Sequence, residues 1–266
     1  MTKNFSKINL YDYQDLKCNF HTHTIRCKHA GGTEREYVEK AIEAGFQVLG
    51  FSDHTPYVFA DNHISRIRMF MEELENYVET IQVLKKEYEK EIQIFAGLEV
   101  EYFPAAFEAT MTEIQKYPLD YLILGQHYLD EETERYYSGR EWTEEIWLET
   151  YVNRIETAVA TGNFLYVAHP DLINYTGATA VYDKHMRKLA GILKAHQMPV
   201  EINVNGYRKK MQYPSRQFMK VAEEEGCDFI IGVDAHNPWE LTDYESYEGC
   251  AKLCMKERLY WTGNKS

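Results

Sequence analysis

The stretch CNFHTHTIRCKHAGG, residues 18–32, carries three histidines within nine positions, directly before a pair of glycines. The three are His21, His23 and His29. Imidazole side chains are rarely this dense on a surface or in an apolar core, so the cluster needs a chemical reason. Because residues two apart on a strand point to the same side, His21 and His23 should aim at one point, and His29 can fold back over them from the following loop.

The histidine pair lies at the end of the first of seven short apolar segments, which alternate with helical stretches along the chain. The segments predicted as strands are residues 17–21, 47–52, 92–100, 120–126, 164–169, 199–203 and 228–234. Apolar strands separated by helices are typical of a parallel sheet covered on both faces. We therefore expect an α/β fold that closes into a barrel, with an open doubly wound sheet as the alternative. The first strand lacks the GxGxxG turn of a dinucleotide-binding fold.

The helices predicted between the strands have recognisable ends. They cover residues 34–44, 71–90, 144–162, 184–197 and 215–226. Thr33 and Glu36 have the spacing of a capping box, and Gly45 follows the last turn of that helix. Ser215 is the expected N-cap of the last helix. Since no linker rich in Pro, Gly or Ser interrupts the sequence, we expect one domain spanning residues 1–266.

The composition limits the classes of partner. The 266 residues include 42 Asp and Glu against 29 Lys and Arg, a formal charge of -13, which disfavours non-specific attraction to long nucleic acid or to an anionic membrane. The five cysteines are odd in number and form no CxxC pair, as is typical of a reduced intracellular chain. The sequence shows neither an apolar signal segment nor a membrane-spanning run. We expect a cytoplasmic protein that acts on a small molecule, with its oligomeric state left open.

Residues of metal-binding type follow nearly every predicted strand. They are His21 and His23 after the first strand, Asp53 and His54 after the second, Glu99 and Glu101 at the end of the third, His127 after the fourth, His169 and Asp171 after the fifth, and Asp234 and His236 after the seventh. The carboxyl ends of parallel strands meet at one rim, where the active sites of barrels and open sheets lie. A mixed set of nitrogen and oxygen donors suits Zn²⁺, Mn²⁺ or Fe²⁺ better than Mg²⁺ or Ca²⁺.

Each of these residues also has an ordinary structural explanation. A single histidine at a strand end, such as His127, is more often a hydrogen-bonded structural residue. An acid such as Glu99 often caps a helix or pairs with a base. These explanations would have to hold independently at six strand ends on one rim, so the shared position favours a metal centre.

Six short motifs carry the same residues, in the order HTHTIRCKH, GFSDH, GLEVEY, GQH, AHPD and GVDAH. In these motifs the sequence resembles the PHP (polymerase and histidinol phosphatase) superfamily, and particularly the bacterial histidinol-phosphatases, from about residue 18 to about residue 240. The resemblance implies a distorted (β/α)7 TIM-like barrel with a metal site at the C-terminal ends of its strands. It also implies a hydrolase of phosphoric monoesters.

The resemblance further implies a centre of three divalent metal ions (Zn, Mn or Fe). His21, His23, Glu99 and Asp234 would hold the first ion, Glu99, His127 and His169 the second, and His29, His54 and His236 the third. All nine ligand positions of the family are filled by the expected residue type in this sequence. Asp234 and His236 are the residues that we expect to take part in catalysis, with Asp234 exchanging a proton.

The activity implied by the resemblance is the hydrolysis of histidinol phosphate to histidinol and phosphate, a step of histidine biosynthesis. Divalent ions can neutralise phosphoryl oxygens, so an acidic chain can accept an anion. Arg208 is the first candidate for binding the phosphate and Arg26 the second, because a guanidinium offers a fork suited to phosphate. One departure weakens this choice of substrate. Relatives often carry a second basic residue after AHPD, where this sequence reads LINYTGA.

Other functions stay open at this point. The same metal centre would serve a phosphoesterase acting on a sugar phosphate, a nucleotide or a short oligonucleotide. A C–N hydrolase of the amidohydrolase type also uses HxH on a barrel, but it relies on a strand-borne lysine where this sequence offers Glu99. A non-catalytic metal-binding domain is a further alternative. The acidic, aromatic stretch 129–147 is expected to form either a lid over the site or a solvated loop.

Overall fold

The computed structural model describes residues 5, 8–59, 63–132, 136–253 and 259–260. Strands in this part of the chain are β1 (Cys18–Asn19), β2 (Val48–Phe51), β3 (Gln93–Val100), β4 (Tyr121–Leu124), β5 (Val200–Asn203), β6 (Phe229–Gly232) and β7 (Leu259–Tyr260). Helices are α1 (Glu34–Glu43), α2 (Leu74–Glu87), α3 (Phe107–Ile114), α4 (Glu145–Ala160), α5 (Thr179–Ala195), α6 (Val204–Arg208), α7 (Arg216–Glu224) and α8 (Tyr244–Ala251). Short 3₁₀-helices are Leu10–Tyr13, Ile25–Cys27, Met71–Glu73 and Pro238–Thr242.

The named strands pair in parallel and form two sheets. One sheet has the order β1-β2-β3-β4 and the other has the order β5-β6-β7. Isolated parallel bridges connect them on both sides. Val167 pairs with Leu124 of β4 and with Val200 of β5, while Thr22 pairs with Ala235 just beyond β1 and β6. The protein is therefore an α/β fold whose parallel sheet is curled, as in TIM-like folds.

Side chains from both sheets fill the inside of the curl. Phe20, Phe95, Tyr121 and Tyr166 are buried there in one cluster. The hydroxyl of Tyr121 donates to the backbone carbonyls of Phe20 and Phe51, at 2.8 and 2.9 Å, and so ties β4 to the ends of β1 and β2. The interior is a packed core rather than a channel, as is usual for barrels of this size.

The larger core lies between the outer face of the sheet and the helices. Along β3, Ile94, Ala96 and Leu98 belong to this outer core, whereas Phe95 belongs to the inner one. Because side chains alternate along a strand, Glu99 falls on the same side as Phe95 and faces the inside of the curl. Among the described residues, no helix combines the length and the apolar character needed to cross a bilayer.

Several signals for helix ends are confirmed. At the start of α1, the Thr33 side chain accepts a hydrogen bond from the backbone N–H of Glu36, and the Glu36 carboxylate accepts one from the backbone N–H of Thr33. Gly45 follows α1 with a φ of 74°, a conformation that glycine adopts without strain. Ser215 caps α7 by accepting from the backbone N–H of Phe218.

The predicted strand at 164–169 requires a correction. Within this segment only Val167 forms bridges, one to each neighbouring strand, and the backbone then turns at His169 with a φ of 31°. One paired residue on each side is too few for a regular strand. The sequence reading also missed β7 and the helices α3, α6 and α8, and it began α5 at residue 184 rather than at Thr179.

Candidate metal centre

The nine side chains predicted as metal ligands meet at the carboxyl ends of the strands. Glu99 is the second-last residue of β3, and the others lie in the segments that follow β1, β2, β4, the Val167 segment and β6. The cluster is mostly buried: His29 is exposed, and His127 and His236 are partly exposed. Imidazoles and carboxylates from six predicted strand ends therefore lie together in one cluster.

His21, His23 and Asp234 form one buried group, with ligand atoms within 4.8 Å of one another. The Nε2 atoms of His21 and His23 are 3.1 Å apart. Oδ1 of Asp234 lies 3.5 Å from Nε2 of His21 and 3.2 Å from Nε2 of His23. The two histidines approach so closely because the HxH spacing places both side chains on the same side of the extended chain.

The carboxylate of Glu99 lies at the centre of a second group. Its Oε1 is 3.0 Å from Nε2 of His169 and 3.5 Å from Nε2 of His127. Its Oε2 is 3.0 Å from Nδ1 of His54. Imidazole nitrogens therefore surround both oxygens of the Glu99 carboxylate.

His29, His54 and His236 form a third group, with ligand atoms again within 4.8 Å of one another. Nε2 of His29 lies 3.1 Å from Nε2 of His236. This group is closer to solvent than the other two, since it contains the exposed His29. Its three residues are those that the family resemblance assigned to the third ion.

Two glycines make room for buried carboxylates at the site. A Cβ atom at Gly125 would lie 1.9 Å from Oε1 of Glu99, and a Cβ atom at Gly232 would lie 1.9 Å from Oε1 of Glu201. Any other residue there would displace the acid on the neighbouring strand. The motifs GQH and GVDAH thus contain glycine because the carboxylates of Glu99 and Glu201 lie so close to the backbone at Gly125 and Gly232.

Backbone carbonyls orient the two imidazoles of the third group that face each other. Nδ1 of His29 is 2.8 Å from the carbonyl oxygen of Cys27, and Nδ1 of His236 is 3.0 Å from the carbonyl oxygen of Asp234. Because a carbonyl oxygen can only accept, each Nδ1 donates and carries the proton. With Nδ1 as the protonated nitrogen, the lone pair of each neutral tautomer is on Nε2, and the two Nε2 atoms face each other.

Glu201 of β5 is a functional residue that sequence reasoning missed. Its fully buried carboxylate accepts from Nδ1 of His21 at 2.7 Å and from the backbone N–H of His169 at 2.8 Å. A carboxylate on Nδ1 directs Nε2 of the same ring to a metal position. The signal was present in the strand VEIN, because polar residues at alternate positions are unexpected in a buried parallel strand.

Two asparagines hold the carboxylate of Asp234 and were also missed. Nδ2 of Asn203 and Nδ2 of Asn205 donate to its Oδ2 at 3.2 and 3.1 Å. Oδ1 is left toward the imidazoles of His21 and His23. The two oxygens of the Asp234 carboxylate thus have separate contacts: amide groups hold Oδ2, and Oδ1 faces the histidine cluster.

Two members of the cluster have a backbone in the left-handed region. The φ angles are 31° at His169 and 51° at Asp234. Residues other than glycine rarely adopt such angles, and strain of this kind concentrates at functional sites. The geometry of the cluster is thus imposed by the surrounding fold.

The donor set fits divalent cations. Both carboxylate oxygens of Glu99 are buried without a hydrogen-bond partner among the described residues, and a buried carboxylate in that state is costly. The facing lone pairs of His29 and His236 repel each other unless a positive charge lies between them. Imidazole nitrogen together with carboxylate oxygen suits Zn²⁺, Mn²⁺ or Fe²⁺.

Burial and charge determine the ionisation of four members of the cluster, two histidines and two acids. Burial lowers the pKa of His23 to about 3 and the pKa of His29 to about 4, so both rings are neutral near pH 7 and have a free lone pair. Burial by itself would raise the pKa of Glu99 and of Asp234. The surrounding histidines outweigh this effect and hold both pKa values well below the usual range. Both acids are therefore ionised.

Two other acids at predicted strand ends have structural partners instead. Asp53 accepts from the backbone N–H and the hydroxyl of Thr24, at 2.8 and 2.6 Å. Asp171 accepts from the backbone N–H of Ser215 at the start of α7. Burial raises the pKa of each to about 7. These contacts fix loops beside the cluster.

A cavity of about 400 Å³ opens onto the histidine cluster, a size typical of small-molecule sites. Its apolar and aromatic wall consists of Ile67, Tyr128, Tyr137, Leu172, Met211 and Tyr213. Among the residues that the structure describes, Lys209 is the one lysine or arginine that lines this cavity. The stretch 129–147 contributes Tyr137 to the wall, and residues 133–135 of that stretch lie outside the described part of the chain.

The structure does not bring Arg26, one of the two predicted substrate-binding residues, into this cavity. Its guanidinium pairs with Glu34 of α1 and donates to Oδ1 of Asn76 in α2 at 3.0 Å. Arg26 therefore points between two outer helices, away from the cluster.

Arg208 lies directly behind the cavity wall. Its Nη2 is 3.2 Å from Oε2 of Glu240 and 3.3 Å from Oδ1 of Asn205. Glu240 and Asn205 both line the cavity. The guanidinium of Arg208 thus stabilises two residues of the cavity wall, while the neighbouring Lys209 itself lines the cavity.

Comparisons with known proteins find one matching family model and several similar proteins. The family model of the PHP domain matches residues 19–205. The chain is 29% identical over 240 residues to a Deinococcus radiodurans protein named "Probable histidinol-phosphatase", covering 84% of this chain and 88% of that protein. It is 28% identical over 265 residues to the histidinol-phosphatase of Bacillus subtilis, covering 88% of this chain and 98% of the relative.

Among solved structures, the chain is similar to histidinol phosphate phosphatase from Lactococcus lactis, described as complexed with Zn, L-histidinol and phosphate. The TM-score is 0.67 at 20% identity, covering 91% of this chain and 95% of the other. At this identity the likeness establishes the fold alone. The family model, however, covers more than half of the sequence and includes seven of the nine clustered side chains. The chain belongs to the PHP domain family.

Proposed function

We propose that this protein is a metal-dependent phosphomonoesterase that hydrolyses histidinol phosphate to histidinol and phosphate. The observation that carries the proposal is the convergence of nine imidazole and carboxylate side chains in one cluster, seven of which line a small cavity. The names of the relatives from D. radiodurans and B. subtilis support the choice of substrate. The L. lactis structure, with Zn, L-histidinol and phosphate, supports it as well.

The proposal includes three divalent ions and a barrel of seven units in one domain, residues 1–266. The three groups of ligand atoms, around Asp234, around Glu99 and around the pair His29 and His236, support the number of ions. Val167 supports the number of units, because its bridges occupy a position between β4 and β5. Zn, Mn and Fe all suit this donor set.

Bound divalent ions would activate water for attack on phosphorus and neutralise charge on the phosphoryl oxygens. The chain's own task is to hold the ligands in a fixed geometry. Glu201 fixes the tautomer of His21, and Asn203 and Asn205 fix the carboxylate of Asp234. These buried contacts reduce the reorganisation needed when the reaction begins.

We further propose that Asp234 and His236 take part in proton handling. Oδ1 of Asp234 faces the cluster, 3.2 Å from Nε2 of His23, so the proposed role is to accept a proton from the attacking water and return it to the leaving alcohol. His236 borders the cavity and is partly exposed. Its Nδ1–H is fixed on a carbonyl, which keeps Nε2 directed into the site.

The cavity wall offers groups for both ends of the substrate. Lys209 is the one lysine or arginine among the described residues that lines the cavity, so we propose that its ammonium meets the phosphate. Arg208 remains a predicted substrate-binding residue, and it would act indirectly, through its contacts with Glu240 and Asn205 of the cavity wall. The rings of Tyr128, Tyr137 and Tyr213 suit the flat imidazole of histidinol, since aromatic faces stack favourably.

The direct test is turnover of histidinol phosphate by the full chain loaded with Mn²⁺ or Zn²⁺, beside a panel of sugar phosphates and nucleotides. We expect phosphate release to be fastest with histidinol phosphate and to be lost in His169→Ala. The matched control is His196→Ala, an exposed histidine at the end of α5. If only another phosphoester is hydrolysed, the proposed substrate is wrong. Full turnover by His169→Ala would contradict the proposed metal centre.

A further inference from the structure

One buried cation has no part in the proposed mechanism. The side chain of Arg68, just before the 3₁₀-helix Met71–Glu73, is fully buried. Its guanidinium donates through Nη2 to Glu101, through Nε to Glu132 and through Nη1 to the backbone carbonyl of Thr55. A charge removed from water needs such partners, because burial without them is costly.

Glu101 connects this guanidinium to the histidine cluster. Its Oε2 accepts from the backbone N–H groups of His127 and Tyr128, both at 3.1 Å. Its Oε1, the atom that accepts from Arg68, lies 3.4 Å from Nδ1 of His127. On the other side of the same ring, Nε2 faces Glu99 at 3.5 Å.

The far side of Arg68 is closed by a second acid and two aromatic rings. Glu132, from the stretch 129–147, is buried against the guanidinium. The centroid of the Tyr57 ring is 4.9 Å from the guanidinium carbon, and that of Phe103 is 5.8 Å away. Enclosed in this way, the guanidinium cannot turn to solvent, and its contact with Glu101 is fixed.

We infer that Arg68 is a positioning residue for the metal centre, acting through Glu101 on His127. The guanidinium fixes the carboxylate, which accepts from the backbone N–H of His127 and places its charge 3.4 Å from Nδ1 of the same residue, with Nε2 facing Glu99. Carboxylate partners of metal-binding histidines orient the ring and strengthen it as a ligand. The inference rests on the proposed function, since it requires that His127 binds a metal ion.

The test compares Arg68→Met, which removes the charge and keeps a long side chain, with the control Arg35→Met. Arg35 is exposed on α1 and forms a bidentate pair with Glu87. Metal-depleted full-length protein is titrated with Co²⁺ and followed by calorimetry and by the visible absorption of bound Co²⁺. We expect Arg68→Met to weaken the binding of one ion by about 10–100-fold and to alter its absorption. Arg35→Met should match the wild type.

Two further variants separate positioning from a general structural role. Glu132→Gln removes the negative charge of one partner of Arg68 but keeps the contact of Arg68 with Glu101, so it should bind Co²⁺ like the wild type. Arg68→Lys restores a charge near Glu101 and should recover part of the lost affinity. An equal loss of affinity in Glu132→Gln and Arg68→Met would overturn the inference, because it would point to general destabilisation.

Wild-type Co²⁺ affinity at every site in Arg68→Met would overturn the inference and leave the proposed function intact. Failure of the wild-type protein to bind Co²⁺ would overturn both, so the two failures are distinguishable. If Arg68→Met does not fold, Glu101→Gln replaces it. That variant keeps an oxygen for the two backbone N–H groups and loses the charge, and it should weaken the same ion, with wild-type affinity again overturning the inference.

Discussion

The imidazoles of His29 and His236 meet head to head, Nε2 to Nε2, at 3.1 Å, while Nδ1 of each is bound to a backbone carbonyl oxygen. While both rings are neutral, neither can donate a proton from Nε2 to the other without giving up its own bond to the backbone. The backbone carbonyls therefore orient the two rings so that both Nε2 lone pairs can bind the same cation. This relationship makes the outcome of metal removal predictable.

Removal of divalent ions should abolish phosphoester hydrolysis and lower the melting temperature. An ion that binds only the folded chain stabilises it by about 2.7 kcal/mol when its free concentration is about 100 times Kd. Thermal unfolding and turnover are measured before chelation, after chelation and after Zn²⁺ or Mn²⁺ is returned. Undiminished turnover by protein shown to be metal-free by elemental analysis would contradict the proposed centre.

Glu201→Gln should weaken both metal binding and turnover by about 10–100-fold, because the neutral amide no longer enforces a proton on Nδ1 of His21. The control is Glu43→Gln, which removes an exposed partner of Lys40 on α1. Metal affinity and kcat are measured for both variants. Equal behaviour of the two would show that the carboxylate at position 201 does not orient His21.

Gly125→Ala should disturb the centre directly, since the added methyl would overlap Oε1 of Glu99. We expect the free energy of unfolding to fall by about 1–3 kcal/mol, as for other overpacked sites, together with loss of activity. Gly191→Ala is the matched control, because its Cβ meets nothing within 4 Å in helix α5. That control should gain up to about 1 kcal/mol from helix propensity. Urea unfolding and turnover distinguish the two.

Lys209→Met should raise KM for the phosphoester by about 10–100-fold, the equivalent of one charge-assisted hydrogen bond. Lys220→Met, an exposed lysine of α7, is the control and should leave KM unchanged. Initial rates over a range of substrate concentrations give both constants. If KM increases with Arg208→Met and not with Lys209→Met, the phosphate is bound by Arg208 rather than by Lys209.

Glu132 should make stability depend on pH in the acid range. Burial raises its pKa, but the charge of Arg68 outweighs burial and lowers the pKa below the ordinary value of 4.5. The unfolded chain then binds the proton more readily, so the stabilisation is present above pH 4.5 and declines as the pH falls through the lowered pKa. The difference in unfolding free energy between wild type and Glu132→Gln should therefore shrink on acidification. A difference independent of pH would contradict this.

Local patterns explain how much of the site was predictable. The HxH spacing placed His21 and His23 together because strand periodicity is strict. The position of acids and histidines at strand ends predicted one rim because parallel strands end on the same side. The capping box at Thr33 was readable for a similar reason, since both of its hydrogen bonds lie within four residues.

The unpredicted parts depend on contacts between distant segments. Arg26 lies between two metal-site histidines in sequence, yet Glu34 and Asn76 draw its guanidinium to the outer helices. Arg208 and Lys209 are adjacent at the end of the short helix α6, where consecutive side chains point in different directions. The strand VEIN marks Glu201 as an unusual buried acid, but its partners His21 and His169, like the partners of Arg68, come from distant segments of the chain.

The fit between Glu99 and Gly125 has a consequence for the evolution of this site. In a homologue that keeps the acid at position 99, only glycine fits at position 125. In a homologue that lacks this acid, other residues fit at position 125. The same holds for Glu201 and Gly232. Each acid and its glycine should therefore change together across homologous sequences, as a coupled pair rather than as two independent positions.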